Sequence, residues 1–94
     1  MDKIKVYLDT NIIHSWFRKY MDAKKRNEKF SEPEILKFIF KLENEYIVSN
    51  ITKTEIFRYL SADWNADEKR CNEAWNEFTE TYNITYLVVK EIDF

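Results

Sequence analysis

Ninety-four residues, 45% apolar and 17% aromatic, suffice for one globular domain over residues 1–94 and exclude a disordered chain. No run approaches the ~20 apolar residues of a membrane span, and Asp2, Lys3, Lys5 and Asp9 interrupt any signal-peptide core, so no membrane and a cytoplasmic location are expected. A single cysteine, Cys71, permits no internal disulfide and fits a reducing compartment, while the lack of any glycine excludes P-loops and dinucleotide fingerprints.

The first predicted element is a strand over 3–8, with Ile4, Val6 and Leu8 on one face and Tyr7 on the other. It ends in Asp9-Thr10-Asn11, any of which can cap a helix that the spacing of Ile12, Ile13, Trp16 and Phe17 carries to about Met21. A charged connection over about 22–30 follows. Ser31-Glu32-Pro33-Glu34 has capping-box spacing and opens a second helix that is expected to bury Ile35, Leu36, Phe38, Ile39 and Leu42. Phe40 lies off that face, which predicts cover on more than one side.

Tyr46-Ile47-Val48, closed by Ser49 and Asn50, reads as the second strand. Thr52-Lys53-Thr54-Glu55 opens a third helix with Ile51, Ile56, Phe57 and Leu60 as its apolar positions, and a break is expected from Ser61 through Ala66. From about Asp67 a fourth helix carries the stripe Cys71, Ala74, Trp75, Phe78 and Tyr82, with Asn83 as a left-handed stop. Cys71 on that stripe reads as a small buried hydrophobe, and His14 as a partly exposed helix residue. Ile84–Val89 is the third strand, apolar on both faces as parallel strands under helices tend to be.

The order β-αα-β-αα-β predicts an α/β fold of three layers, a parallel sheet of three strands flanked on both faces by about four helices. In such a sheet the carboxyl ends of the strands share one rim, where ligands sit. Topology therefore brings Asp9 and the segment Ser49–Glu55 together. With Thr10, Asn11, Ser49 and Thr52 they form an oxygen-rich set suited to Mg²⁺ or Mn²⁺. Each acid also has a plain structural reading: Asp9 as a helix N-cap, Glu55 as the last residue of a Thr-x-x-Glu capping box.

Charge is uneven. Residues 18–29 hold six bases and two acids, whereas residues 61–94 hold eight acids and three bases. A polyanion would be drawn to the first region, in which Lys24, Lys25 and Arg26 are candidate RNA contacts, with Arg58 a fourth on the third helix. A solvated loop between helices is the alternative reading of the basic run.

The segment Val6-Tyr7-Leu8-Asp9-Thr10-Asn11-Ile12-Ile13 resembles the opening motif of PIN domains, the family that includes VapC-type toxin ribonucleases. Ile47-Val48-Ser49-Asn50-Ile51-Thr52-Lys53-Thr54-Glu55-Ile56 is similar to their second motif. The resemblance implies a Mg²⁺- or Mn²⁺-dependent endoribonuclease of a toxin–antitoxin system, with Asp9 as metal ligand and Glu55 binding metal or activating water. Asn11 and Ser49 or Thr52 would position the cluster. It covers only the first two-thirds or so of the family domain; the later acids are not matched, and Glu91 and Asp93 do not fit their motif. Without the family's later strand, strand one would be a bare apolar edge, so the resemblance implies a homodimer, a complementing chain or an antitoxin as partner.

The different-class alternative is a non-catalytic interaction module, a toxin remnant that binds another chain. A haloacid-dehalogenase-type phosphohydrolase would need a second aspartate where Asn11 stands, and a response-regulator receiver needs an acidic pair that is lacking.

Overall fold

The structure, a computed structural model, describes residues 3–90. Its elements are β1 (Lys5–Tyr7), α1 (Thr10–Arg26), α2 (Glu34–Ile39), β2 (Glu45–Ser49), α3 (Asn50–Trp64), α4 (Glu68–Thr81) and β3 (Thr85–Leu87). The strands form a parallel sheet in the order β1-β2-β3, so the α/β class and the element order match the expectation. Glu91 and Asp93 lie outside the described residues. No helix is long and apolar enough to cross a membrane among those residues.

The expected three layers are two. Val6, Leu8, Tyr46 and Val48 point into one core shared with Ile13, Trp16 and Phe17 of α1, Leu36 of α2, Ile56 and Leu60 of α3, and Ala74, Trp75 and Phe78 of α4. Ile47, which alternates with them, is buried but lies outside that core. The reason is topological. Both crossovers advance in the same direction across the sheet, and right-handed connections that do so place every helix on one face. A thickness of 19 Å against extents of 42 and 39 Å fits one helical layer on one sheet.

Two further expectations of burial fail. All three residues of β3 are exposed, because β3 is an edge strand and, among the described residues, no helix covers the face of the sheet opposite the core. In α2 only Leu36 is buried; Ile35, Phe38 and Leu42 are 57%, 75% and 63% exposed. This helix is short and peripheral, and Leu42 lies beyond its end. Phe40 does turn inward, stacking on Tyr82 with ring centroids 4.0 Å apart. The α4 stripe is buried as predicted through Phe78, with Tyr82 packed against it.

Helix limits shift where charge was read as loop. α1 runs on through Lys24, Lys25 and Arg26, whose cations suit the negative end of the helix dipole. α3 likewise continues past Ser61 to Trp64. The Ser31–Glu34 capping box does not form: Pro33 takes the N-cap position and supplies no side-chain bond. Without glycine, the left-handed positions fall to Asn27, Asn65 and Asn83, with φ of 53°, 52° and 51°. Asn is among the residues that best tolerate that region, and the first two close α1 and α3.

The edge strand β3 is held by two devices. The Asn50 carboxamide accepts from the Val89 N–H at 2.7 Å and donates to the Val89 carbonyl at 3.2 Å. The Lys53 ammonium lies 5.4 Å from the Tyr86 ring and 5.3 Å from the Phe57 ring, which ties β3 to α3. Asn50→Ala should therefore loosen residues 88–90 locally, at a cost on the order of 1 kcal/mol, while leaving global unfolding nearly unchanged. Hydrogen exchange should show the Val89 amide exchanging several-fold faster; an unchanged rate would mean that the clamp does not form.

Candidate functional site at the carboxyl rim

The rim is built by register. Tyr7 pairs with Ile47, and the Leu8 N–H continues the ladder to the Ile47 carbonyl at 2.8 Å. Two residues on, Asp9 stands beside Ser49, and Ser49 in turn pairs with Leu87. Adjacent strands run ~4.8 Å apart, so Asp9 and Ser49 are next neighbours on the carboxyl edge. α1 and α3 both start there, and their positive N-terminal ends converge on it.

Asp9 is the N-cap of α1. Its Oδ1 accepts from the Asn11 N–H at a long 3.4 Å, and its carbonyl accepts from Ile12 and Ile13. One long bond leaves most of the carboxylate's acceptor capacity for a ligand, so the capping and metal-binding readings are compatible. Thr10 is half-buried and Asn11 exposed beside it.

The capping-box reading of Glu55 does not hold. Ser49 caps α3, its Oγ accepting from the Thr52 N–H at 3.2 Å, so the box position falls on Thr52 and Glu55 lies a turn further on. Glu55 is exposed, and among the described residues its side chain makes no hydrogen bond or ion pair, with Arg58 or otherwise. Thr52 is buried, and its hydroxyl accepts from Ser49 at 3.5 Å. Both hydroxyls thus serve the cap.

A contact missed in the sequence relates the two acids. The His14 and Tyr59 rings meet at 3.9 Å between centroids, and Tyr59 Oη accepts from Trp64 Nε1 at 3.0 Å. α1 and α3 leave the same rim, so one turn back from this pair lie Thr10 and Glu55. The ring contact therefore sets Glu55 on the flank of α3 that faces the start of α1. The only signal for it was two aromatic residues at helical positions in separate segments.

The candidate RNA contacts are not adjacent to the acids. Thr10 to Lys24 is about four turns of helix, roughly 21 Å. Lys24 and Lys25 line a groove of about 640 Å³ at the far end of α1, where Asp63, Glu73, Arg70 and Trp64 join them. Its charge is mixed. Arg26 pairs instead with Asp22 at 3.2 Å, and Arg58 lines a separate groove of about 440 Å³ with Glu68 between α3 and α4. Lys24, Lys25 and Arg26 lie far from the acids because α1 is longer than its apolar spacing implied, while Arg58 sits apart from them on α3.

Three groups respond to pH through burial. Burial first, then a hydrogen bond to and the charge of Glu32, pushes Tyr82 far up. Burial raises Tyr20, with Glu77 and Glu73 adding to it, and burial raises the Cys71 thiol, with Asp67 and Glu68 adding to it. Raised values mean that the fold holds the protonated forms. This stabilisation is complete below the ordinary values of 9.0 for a thiol and 10.0 for a phenol, and is lost as pH rises past them. The urea midpoint should therefore stay level up to about pH 9 and fall above it, less steeply in Tyr82→Phe. A midpoint that rose with pH would contradict this assignment.

Among the described residues no group of three or more His, Cys, Asp or Glu side chains is gathered to hold a metal ion. Asp9 and Glu55 make two. Mg²⁺ commonly takes one or two carboxylates and completes its shell with water, so the pair fits a water-rich site but not a closed protein cage. No protein-family model matches this chain, and no curated protein or solved structure matches it.

Proposed function

We propose that the chain is a PIN-type nuclease domain, with RNA as substrate and Asp9 and Glu55 as its contribution to a Mg²⁺ or Mn²⁺ site. The observation that carries this reading is the register of β1 and β2, which sets Asp9 beside Ser49 with Glu55 on the adjoining flank of α3. The helix N-termini favour an anion at this rim, yet a phosphodiester and two carboxylates repel one another there. A divalent cation held by these carboxylates would relieve that conflict; its chemistry would be to polarise the phosphodiester and lower the pKa of a bound water. Asp9 would hold the ion, Glu55 would hold it or accept the proton of the attacking water, and Ser49 and Thr52 keep the start of α3 in place. Lys24 and Lys25, four turns away, could touch only a distant part of a longer strand.

The second reading is a non-catalytic module that binds an antitoxin or another chain. It is favoured by the sheet face that no helix covers and by the position of β1 at an edge, both among the described residues. The deciding experiment is cleavage of a structured RNA with Mn²⁺, with Mg²⁺ and with EDTA. Metal-dependent cutting supports the nuclease; no cutting in any condition moves the function to the interaction module.

A further inference from the structure

The free edge of β1 has a parity that selects its partner. The Glu45 N–H bonds the Ile4 carbonyl at 3.0 Å and the Leu8 N–H bonds Ile47, so the even-numbered residues turn their backbone groups toward β2. By alternation, Lys5 and Tyr7 turn theirs away from the sheet, unpaired along the edge among the described residues. Tyr7 is also 64% exposed, and its ring stands on the bare face with the side chain of Lys5.

We propose that this edge pairs with the same edge of a second copy, antiparallel about a two-fold axis through Val6. Outward-facing residues must meet outward-facing residues, which leaves few registers. Centring on Lys5 sets two like charges opposite one another, which is destabilising. Centring on Tyr7 needs the Asp9 backbone in the ladder, but the Asp9 carbonyl already accepts from Ile12 and Ile13 of α1. Centring on Val6 keeps every existing bond. Lys5 then exchanges N–H and C=O bonds with the copy's Tyr7, and its ammonium can lie over the copy's ring. Lys3 comes opposite the copy's Asp9, a complementary charge. The outcome is one continuous six-stranded sheet with all helices on one side.

Lysine on a short edge strand is also a device by which monomers avoid such pairing, so the register must be tested and not only the mass. Sedimentation velocity at tens of micromolar should show a dimer. Tyr7→Pro removes an N–H that the isolated chain leaves unpaired, a substitution edge strands tolerate. It should give a monomer with an unchanged circular dichroism spectrum. Val6→Cys is the register-specific variant. Residues at the two-fold in a non-hydrogen-bonded pair lie ~4.5 Å apart at Cα, within disulfide range. With oxidised glutathione it should cross-link at least tenfold faster than Ile4→Cys, which would face the copy's Leu8. Wild type, whose one thiol is buried, should not cross-link. A monomer throughout the concentration range, or a dimer in which Val6→Cys links no faster than Ile4→Cys, overturns the proposal. The proposal stands or falls apart from metal chemistry, because none of these readouts depends on cleavage.

Discussion

Phe78→Ala is expected to cost about 3–5 kcal/mol, the range for removing a fully buried phenylalanine. Phe78 has no solvent exposure and sits where the helices meet. Its ring lies 5.1 Å from Trp16 and 5.2 Å from Phe17 on α1, 6.4 Å from Phe40 after α2, and 5.4 Å from Tyr82. Neighbours that are themselves large flat rings cannot collapse into the space left behind, so the cavity remains and the upper part of the range applies. In a domain of this size each kcal/mol moves the melting temperature by roughly 4–8 °C, so a loss of about 12–40 °C should follow. Thermal unfolding followed by circular dichroism measures it. Phe38→Ala, at an exposed phenylalanine of α2, is the control and should stay within about 0.5 kcal/mol of wild type. Similar losses in the two variants would mean that the core is not centred on Phe78.

Asp9→Asn is expected to abolish metal-dependent RNA cleavage while leaving the fold intact. Asparagine caps a helix as well as aspartate does, so the bond to the Asn11 N–H survives and only the charge is lost. Removing groups that merely support a ligand costs 10–100-fold in metal affinity or activity, so removing a ligand itself should cost at least ~100-fold. Asp9→Ala should lose the same activity and about 1 kcal/mol of stability as well, because the cap goes with the charge. Glu55→Gln should match Asp9→Asn in cleavage without a stability cost, since the exposed Glu55 side chain makes no hydrogen bond or ion pair among the described residues. Cleavage that survives both charge-neutral variants would remove the rim from the chemistry. Association should be nearly indifferent to Asp9→Asn, because an exposed ion pair is worth about 0–1 kcal/mol. This separates the two proposed roles of the chain.

The helix over Cys71, Ala74, Trp75 and Phe78 was readable because four residues at helical spacing mark one face and no competing face exists. The start of α4 near Asp67 and a cap among Asp9, Thr10 and Asn11 were readable for a local reason also, a short polar side chain just before a periodic apolar run; the structure assigns the caps to Asp9 and Asp67. The Asn83 turn followed from the lack of glycine. Apolar spacing was a poor guide in α2, where Ile35, Phe38 and Leu42 have core-like positions and no core to meet. It was a poor guide also in β3, whose apolar run proved to be an exposed edge.

The capping box at Ser31 and the one ending at Glu55 were local patterns that the chain does not use, because Pro33 and Ser49 occupy the cap positions. The basic run looked like a loop near the acids, since charge alone does not distinguish a solvated connection from the last turns of a longer helix. Its distance from Asp9 became visible only with the length of α1.

What the sequence by itself determined is therefore the order of the elements, their parallel arrangement and the return of Asp9 and Ser49 to one rim. These follow from periodicity and from crossover connections, which are properties of consecutive residues. The tertiary structure decided which face of the sheet is covered, that β3 is an exposed edge, that Glu55 is free of the cap, and that His14 meets Tyr59. Each depends on where segments distant in the chain come to lie against one another, and residue spacing within a segment carries no information about that.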